Sequence, residues 1–216
     1  MIKMIIIKKL KIYNEYFKYI MEHKKNVFKV CWKRGLYVHA FTHDLSKFSP
    51  VEFFPYAEWF YGEYGANIDT TLLLIPSLKD KHERCKRQFD KAWEHHQKHN
   101  KHHWDYWCYD WNKYYDNMFA LSDCKLEEPA DMPLKYIIQM ICDWKAMSLK
   151  FGGTAQEFYM NNYDKIKLSL TSRVELEYNL GLIDGTCLVS NVTWKDYCER
   201  INTTMKDDLK SIGYIK

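Results

Sequence analysis

The chain has 216 residues, 47% of them hydrophobic and 17% aromatic, enough for a domain with a real core and incompatible with intrinsic disorder. Its net charge of +4 suits an anionic small ligand but is too weak and too dispersed for duplex nucleic acid. Seven cysteines, odd in number and without CxxC spacing, read as reduced and mostly buried thiols. No run approaches the ~20 apolar residues of a membrane span. The apolar stretch in MIKMIIIKKLKIY is too short for the core of a signal peptide. A soluble, cytoplasmic protein without membrane contact is expected.

Helical periodicity dominates. Tyr16, Ile20, Val27, Phe28 and Cys31 recur at helical steps and mark one face of a helix over residues 13–32, which Gly35 breaks. A second, short helix is expected over 36–43, ending in the polar turn DLSKFSP. Ser49 reads as an N-cap, with Pro50 at the first position and Glu52 two residues further into a helix that reaches Tyr61. The stretch GEYGANIDTTLLLIPS reads as a loop; LLLIP within it and TCLVSNV near the end are the two weak strand candidates. A long amphipathic helix follows over 79–98, and residues 100–104 either continue it or turn. WDYWCYDWNKYYDNMFAL reads as helical. LEEPADMP is a linker in which Asp131 is the candidate N-cap and Pro133 sits near the start of the helix PLKYIIQMICDWKAMSLKF, ended by Gly152-Gly153. Thr154 caps a short helix through Tyr163, another helix covers 172–180, Asp184-Gly185 turns, and a terminal helix covers 193–212. The expected fold is all-α, a helical bundle over 1–183 with a C-terminal helical extension over 184–216.

The chemistry lies in the histidines. Five of nine, His95, His96, His99, His102 and His103, fall within AWEHHQKHNKHHWDYW. The doublet His43-Asp44 in HAFTHDLSKFSP offers an imidazole nitrogen and a carboxylate oxygen to one cation, a donor mixture suited to Mn, Fe, Co or Zn. Taken alone it fits an N–H···O contact at a helix end equally well. His23 lies on the first helix, and Asp143 lies among Ile137, Ile138, Met140, Ile141 and Cys142. A carboxylate buried there needs a cation or a donor; otherwise it must face solvent.

Together, His23, His43-Asp44 and Asp143 resemble the HD-domain superfamily of metal-dependent phosphohydrolases: a His on one helix, a His-Asp doublet ending a second, and a distal Asp on a later helix. EHKKNVFKVCWKRGLYVHAFTHDLSK is similar to the superfamily's run from first His to doublet and following Lys, with Lys47 in the last place. The order HDLSKFSP, EFFPYAEWFYG, AWEHHQKHNKHHWDYW, DMP and CDW resembles more closely an uncharacterised HD-like family of bacterial and phage proteins, over residues 15–182.

This resemblance implies a divalent transition metal held by His23, His43, Asp44 and Asp143. It also implies hydrolysis of a nucleotide or related small phosphate ester by a metal-activated water. Asp44 and Lys47 are the expected catalytic residues, Lys47 as a phosphate contact; a solvated loop lysine is its alternative. Superfamily members with extra histidines often hold two or more metals, so His96, His102 and His103 are expected at a second metal or the phosphate. His95 is the second choice, and His99 is expected to face solvent. Lys24, Lys33 and Arg34 share the hairpin with no sign of which faces the site. Glu52 and Glu58 could be general acid/base groups but are expected as plain surface charges. Trp59, Phe60, Tyr61, Trp104 and Trp107 are expected in the core rather than stacking on a base. Two other functions stay open: a di-iron oxygenase of HD fold, and a non-catalytic protein that sequesters a nucleotide or uses metals to hold its helices.

Overall fold

In a computed structural model, residues 2–115 and 121–183 are described, and they form eight α-helices joined by short 3₁₀ turns and no strand. The all-α expectation holds. The expected turn at Asp184-Gly185, the candidate strand TCLVSNV, the helix over 193–212 and the extension over 184–216 lie outside the described residues. Among the described residues, no helix is long and apolar enough to cross a membrane. The chain divides into two compact units, Met1–Asn100 and a second that begins at Lys101.

The N-terminal unit contains α1 (Ile2–Trp32), α2 (Tyr37–Thr42), α3 (Pro50–Tyr61) and α4 (Pro76–His99). The α1 stripe read from periodicity is the buried one: Tyr16, Ile20, Val27 and Cys31 face inward, and His23 shares that face. Tyr16 and Ile20 pack with Tyr56 and Ala57 of α3 and Ala92 of α4. Gly35 takes a φ of +72°, which a glycine adopts without steric cost, and ends α1. Ser49 does not cap α3 through its side chain; its carbonyl accepts from the Glu52 and Phe53 amides, and Pro50 supplies a helical φ. The candidate strand LLLIP is instead part of a 3₁₀ turn, Thr70–Leu74. The Asp69 carboxylate accepts from the Thr71 amide there, a local bond that favours the turn. α4 starts at Pro76, which fits a first turn that needs no amide donor.

The second unit contains α5 (Trp111–Tyr115), α6 (Leu134–Phe151), α7 (Ala155–Asn161) and α8 (Leu170–Leu180). The aromatic segment is not the continuous helix expected. A 3₁₀ turn, Trp104–Cys108, gives way to extended backbone at Tyr109, which bridges Lys125. The Asp110 amide donates to the Cys124 carbonyl at 2.7 Å and the Leu126 amide to the Cys108 carbonyl at 2.9 Å, so pairing with a distant segment replaces helical bonds. Asp131 is not a helix cap either. Pro133 occupies the cap of α6, and Asp131 accepts from the Ser169 hydroxyl at 2.6 Å. Thr154 and Glu157 form a reciprocal capping box that starts α7, as the sequence suggests. The core gathers Ile137, Met140 and Ile141 of α6 with Tyr159, Met160 and Leu176.

Candidate metal centre

Helix α2 stops at Thr42, one residue before the doublet. Lys24 of α1 secures this stop by donating to the carbonyls of Phe41 at 2.7 Å and His43 at 3.1 Å, so it is a structural contact, while Lys33 and Arg34 are exposed. Burial lowers the pKa of the Lys24 ammonium, and the Asp44 charge opposes this. The chain then reverses at Asp44, whose φ of +53° makes it the only non-glycine residue in the left-handed region among the described residues. That conformation costs about 1–3 kcal/mol, with Asp and Asn among the side chains that tolerate it best.

The reversal brings three donors together. His23 Nε2 stands 3.1 Å from His43 Nε2, and His43 Nε2 stands 3.4 Å from Asp44 Oδ2. All three residues are buried, at 5%, 2% and 4% exposure, and each offers a ligand atom within 4.8 Å of the others. An ion about 2.05 Å from both imidazole nitrogens would subtend an angle of roughly 100°, within the range of first-row metal sites. On the other side of His43, Nδ1 meets His39 Nε2 at 3.3 Å.

Around this group, Lys47 places its ammonium 2.6 Å from Asp44 Oδ2. It is a mostly buried partner of the carboxylate rather than a solvated loop lysine. His96 is fully buried near the end of α4, with Nε2 3.6 Å from Asp44 Oδ1. Its Nδ1 lies 2.8 Å from Glu52 Oε2, and His95 Nδ1 lies 2.7 Å from Glu52 Oε1. Glu52 is therefore not a surface charge: it is completely buried. Burial raises its pKa, but hydrogen bonds from His96, His95 and Ser46 outweigh burial and hold it below the ordinary carboxylate value. Burial pushes the His96 pKa down against the pull of Asp44, which favours the neutral ring. Glu58 is half-buried and takes bonds from Lys9 at 2.9 Å and Tyr13 at 3.0 Å.

α4 ends at His99, which settles the sequence ambiguity in favour of a turn. Asn100 closes the helix by donating to the His96 carbonyl at 2.8 Å and to Ser46 Oγ at 2.8 Å. His99 is exposed, as expected. In the second unit, His102 and His103 follow that turn with ring centroids 4.3 Å apart. Together with Asp143 of α6 they form another group whose ligand atoms lie within 4.8 Å of one another. Asp143 is 9% exposed, so it does not face solvent. The buried His/Asp groups can hold a metal ion: imidazole and carboxylate donors, few in number and convergent, are what a first-row divalent ion binds.

Trp59 stacks on Phe89 at 5.2 Å, and Trp104 and Trp107 pack on the core of the second unit. Phe60 and Tyr61 are instead exposed, at 44% and 40%. Sequence reasoning missed His39 and misplaced Glu52 at the surface. His39 had a signal, its i,i+4 spacing to His43 on a helix. Glu52 did not, because an acidic residue in a helix's first turn is normally explained by the helix dipole.

A model of the family described as "Family of unknown function (DUF5662)" matches residues 12–180. Among curated proteins and solved structures, nothing matches the chain.

Proposed function

The chain belongs to DUF5662, a family of unknown function, and from its own residues we propose that it is a metal-dependent phosphohydrolase acting on a nucleotide or a related small phosphate ester. The observation that carries this reading is the convergence of His23, His43 and Asp44 in the N-terminal unit. Those three residues would hold a divalent Mn, Fe, Co or Zn ion; His102, His103 and Asp143 offer a further set in the second unit. Mg²⁺ or Ca²⁺ would find too few oxygens here. When bound, such an ion supplies Lewis acidity to a phosphoryl oxygen and lowers the pKa of a water.

The protein's own groups then have separate tasks. His23 and His43 aim their Nε2 atoms at one point. Asp44 brings negative charge to that point, held in place by its left-handed backbone and by Lys47. The Lys47 ammonium places a positive charge beside the site, where a phosphate oxygen would gain from it. The mildly basic chain suits an anionic ester.

The test begins with elemental analysis of the purified protein. It is then loaded with Mn²⁺, Co²⁺ or Fe²⁺ and offered mononucleotides, dinucleotides, cyclic nucleotides and generic phosphoesters. The expected result is metal-dependent hydrolysis of at least one of these esters, read as loss of the intact substrate, that Asp44→Asn abolishes. A fully loaded protein that turns over none of these overturns the reading. Oxygen consumption with a mixed-valent iron signal would move it to the oxygenase alternative.

A further inference from the structure

Glu52 accepts three hydrogen bonds inside the N-terminal unit. Oε1 takes the Nδ1–H of His95 at 2.7 Å, and Oε2 takes the Nδ1–H of His96 at 2.8 Å and the hydroxyl of Ser46 at 3.1 Å. The donors are themselves directed. Asn100 Nδ2 donates to Ser46 Oγ at 2.8 Å, which turns the serine proton toward the carboxylate. An ionised carboxylate only accepts, so both rings must carry their proton on Nδ1. Consecutive side chains on a helix diverge by about 100°, yet one carboxylate spans both rings and fixes the pair.

With Nδ1 protonated, the neutral His96 ring has its lone pair on Nε2, the atom 3.6 Å from Asp44 Oδ1. Two acceptors at that distance repel each other and are reconciled by a cation that both can ligate. We propose that Glu52 is a positioning residue: by holding the Nδ1–H of His96 it presents Nε2 as a metal donor beside Asp44 Oδ1. This rests on the metal-centre reading above and deepens it. The carboxylate acts through the imidazole and touches no reacting atom. Glutamine at position 52 would offer one acceptor oxygen and an NH₂ that faces an N–H, so one ring would have to turn or change tautomer.

The experiment uses the full-length protein with ¹⁵N-labelled histidine, titrated with Zn²⁺, and His96 assigned through His96→Gln. In the wild type, the Zn²⁺-loaded His96 signal is expected to show a protonated Nδ1 and a metal-bound Nε2. Glu52→Gln should weaken Zn²⁺ binding about 10–100-fold and remove the Nδ1–H signature, while His99→Gln leaves both unchanged. A protonated Nε2 on His96 in the loaded wild type, or wild-type affinity in a folded Glu52→Gln variant, overturns the proposal. If Glu52→Gln does not fold, the wild-type spectrum alone decides. A wild type that binds Zn²⁺ with His23 and His43 shifted and His96 unmoved defeats this inference but leaves the metal centre standing. A wild type that binds no metal defeats both.

Discussion

Two glutamates, one in each unit, are completely removed from solvent, and their surroundings push them in opposite directions. Glu52 sits at 0% exposure with three donors spread over both oxygens and is held below the ordinary carboxylate pKa. Glu177 of α8 is also at 0% exposure, but it receives the Tyr159 hydroxyl on Oε1 at 2.5 Å, and its Oε2 has no hydrogen-bond partner among the described residues. There burial outweighs the help of Tyr159 and the Arg173 charge, and its pKa is raised. Burial alone does not decide whether a carboxylate is charged; the number and direction of its donors do. The units follow the same contrast. The first unit sets buried histidines and carboxylates beside an apolar cluster around Tyr16 and Tyr56, and the second packs an apolar core around α6 with a buried Tyr-Arg-Glu network.

If apolar packing stabilises the second unit, Ile141→Ala should destabilise the protein by about 2–5 kcal/mol in chemical denaturation; a cost well under 1 kcal/mol would break the contrast. If the first unit instead stores strain at its site, Asp44→Gly should leave the metal-free protein about 1–2 kcal/mol more stable than Asp44→Ala, since both lose the carboxylate but only glycine relieves the backbone. Equal stabilities would show that the left-handed turn carries no strain.

A smaller effect concerns pH. A carboxyl whose folded pKa is raised contributes stability at low pH, and that contribution is lost as pH rises through the folded value. The stability of the wild type relative to Glu177→Gln should therefore fall as pH rises through and above the ordinary carboxylate range. A difference that grows in favour of the wild type would reverse the assignment. The mildest prediction is chemical. Burial raises the Cys108 thiol to about 11, so at neutral pH alkylation should reach the half-buried Cys85 before the buried Cys108. Cys108 labelling as fast as Cys85 in the folded protein would contradict its environment.

How much of this was legible in the sequence depended on how local each cause was. The α1 face, the Gly35 stop, the Gly152-Gly153 stop and the Thr154 cap are written in neighbouring residues, and periodicity or capping chemistry reads them. The His43-Asp44 doublet and Asp143 were visible as donors in helix-ending and apolar contexts, though the sequence left open whether Asp143 faces solvent. The unread features have distant causes. Residues 104–111 read as a helix because the amides that pair with 124–126 cannot be seen locally. Glu52 read as a surface charge because its partners, His95 and His96, lie 43 and 44 residues away. The φ of Asp44 depends on α2 ending and a 3₁₀ turn beginning on either side of it.

That backbone setting narrows what evolution can do at position 44. Only glycine, asparagine and aspartate settle readily into such a corner, and of these three only aspartate brings a full negative charge to an ion. If an ion sits at this corner, a relative without it would be expected to carry asparagine or glycine here, with its architecture intact. The identity of that one residue would then separate relatives that bind an ion from those that do not.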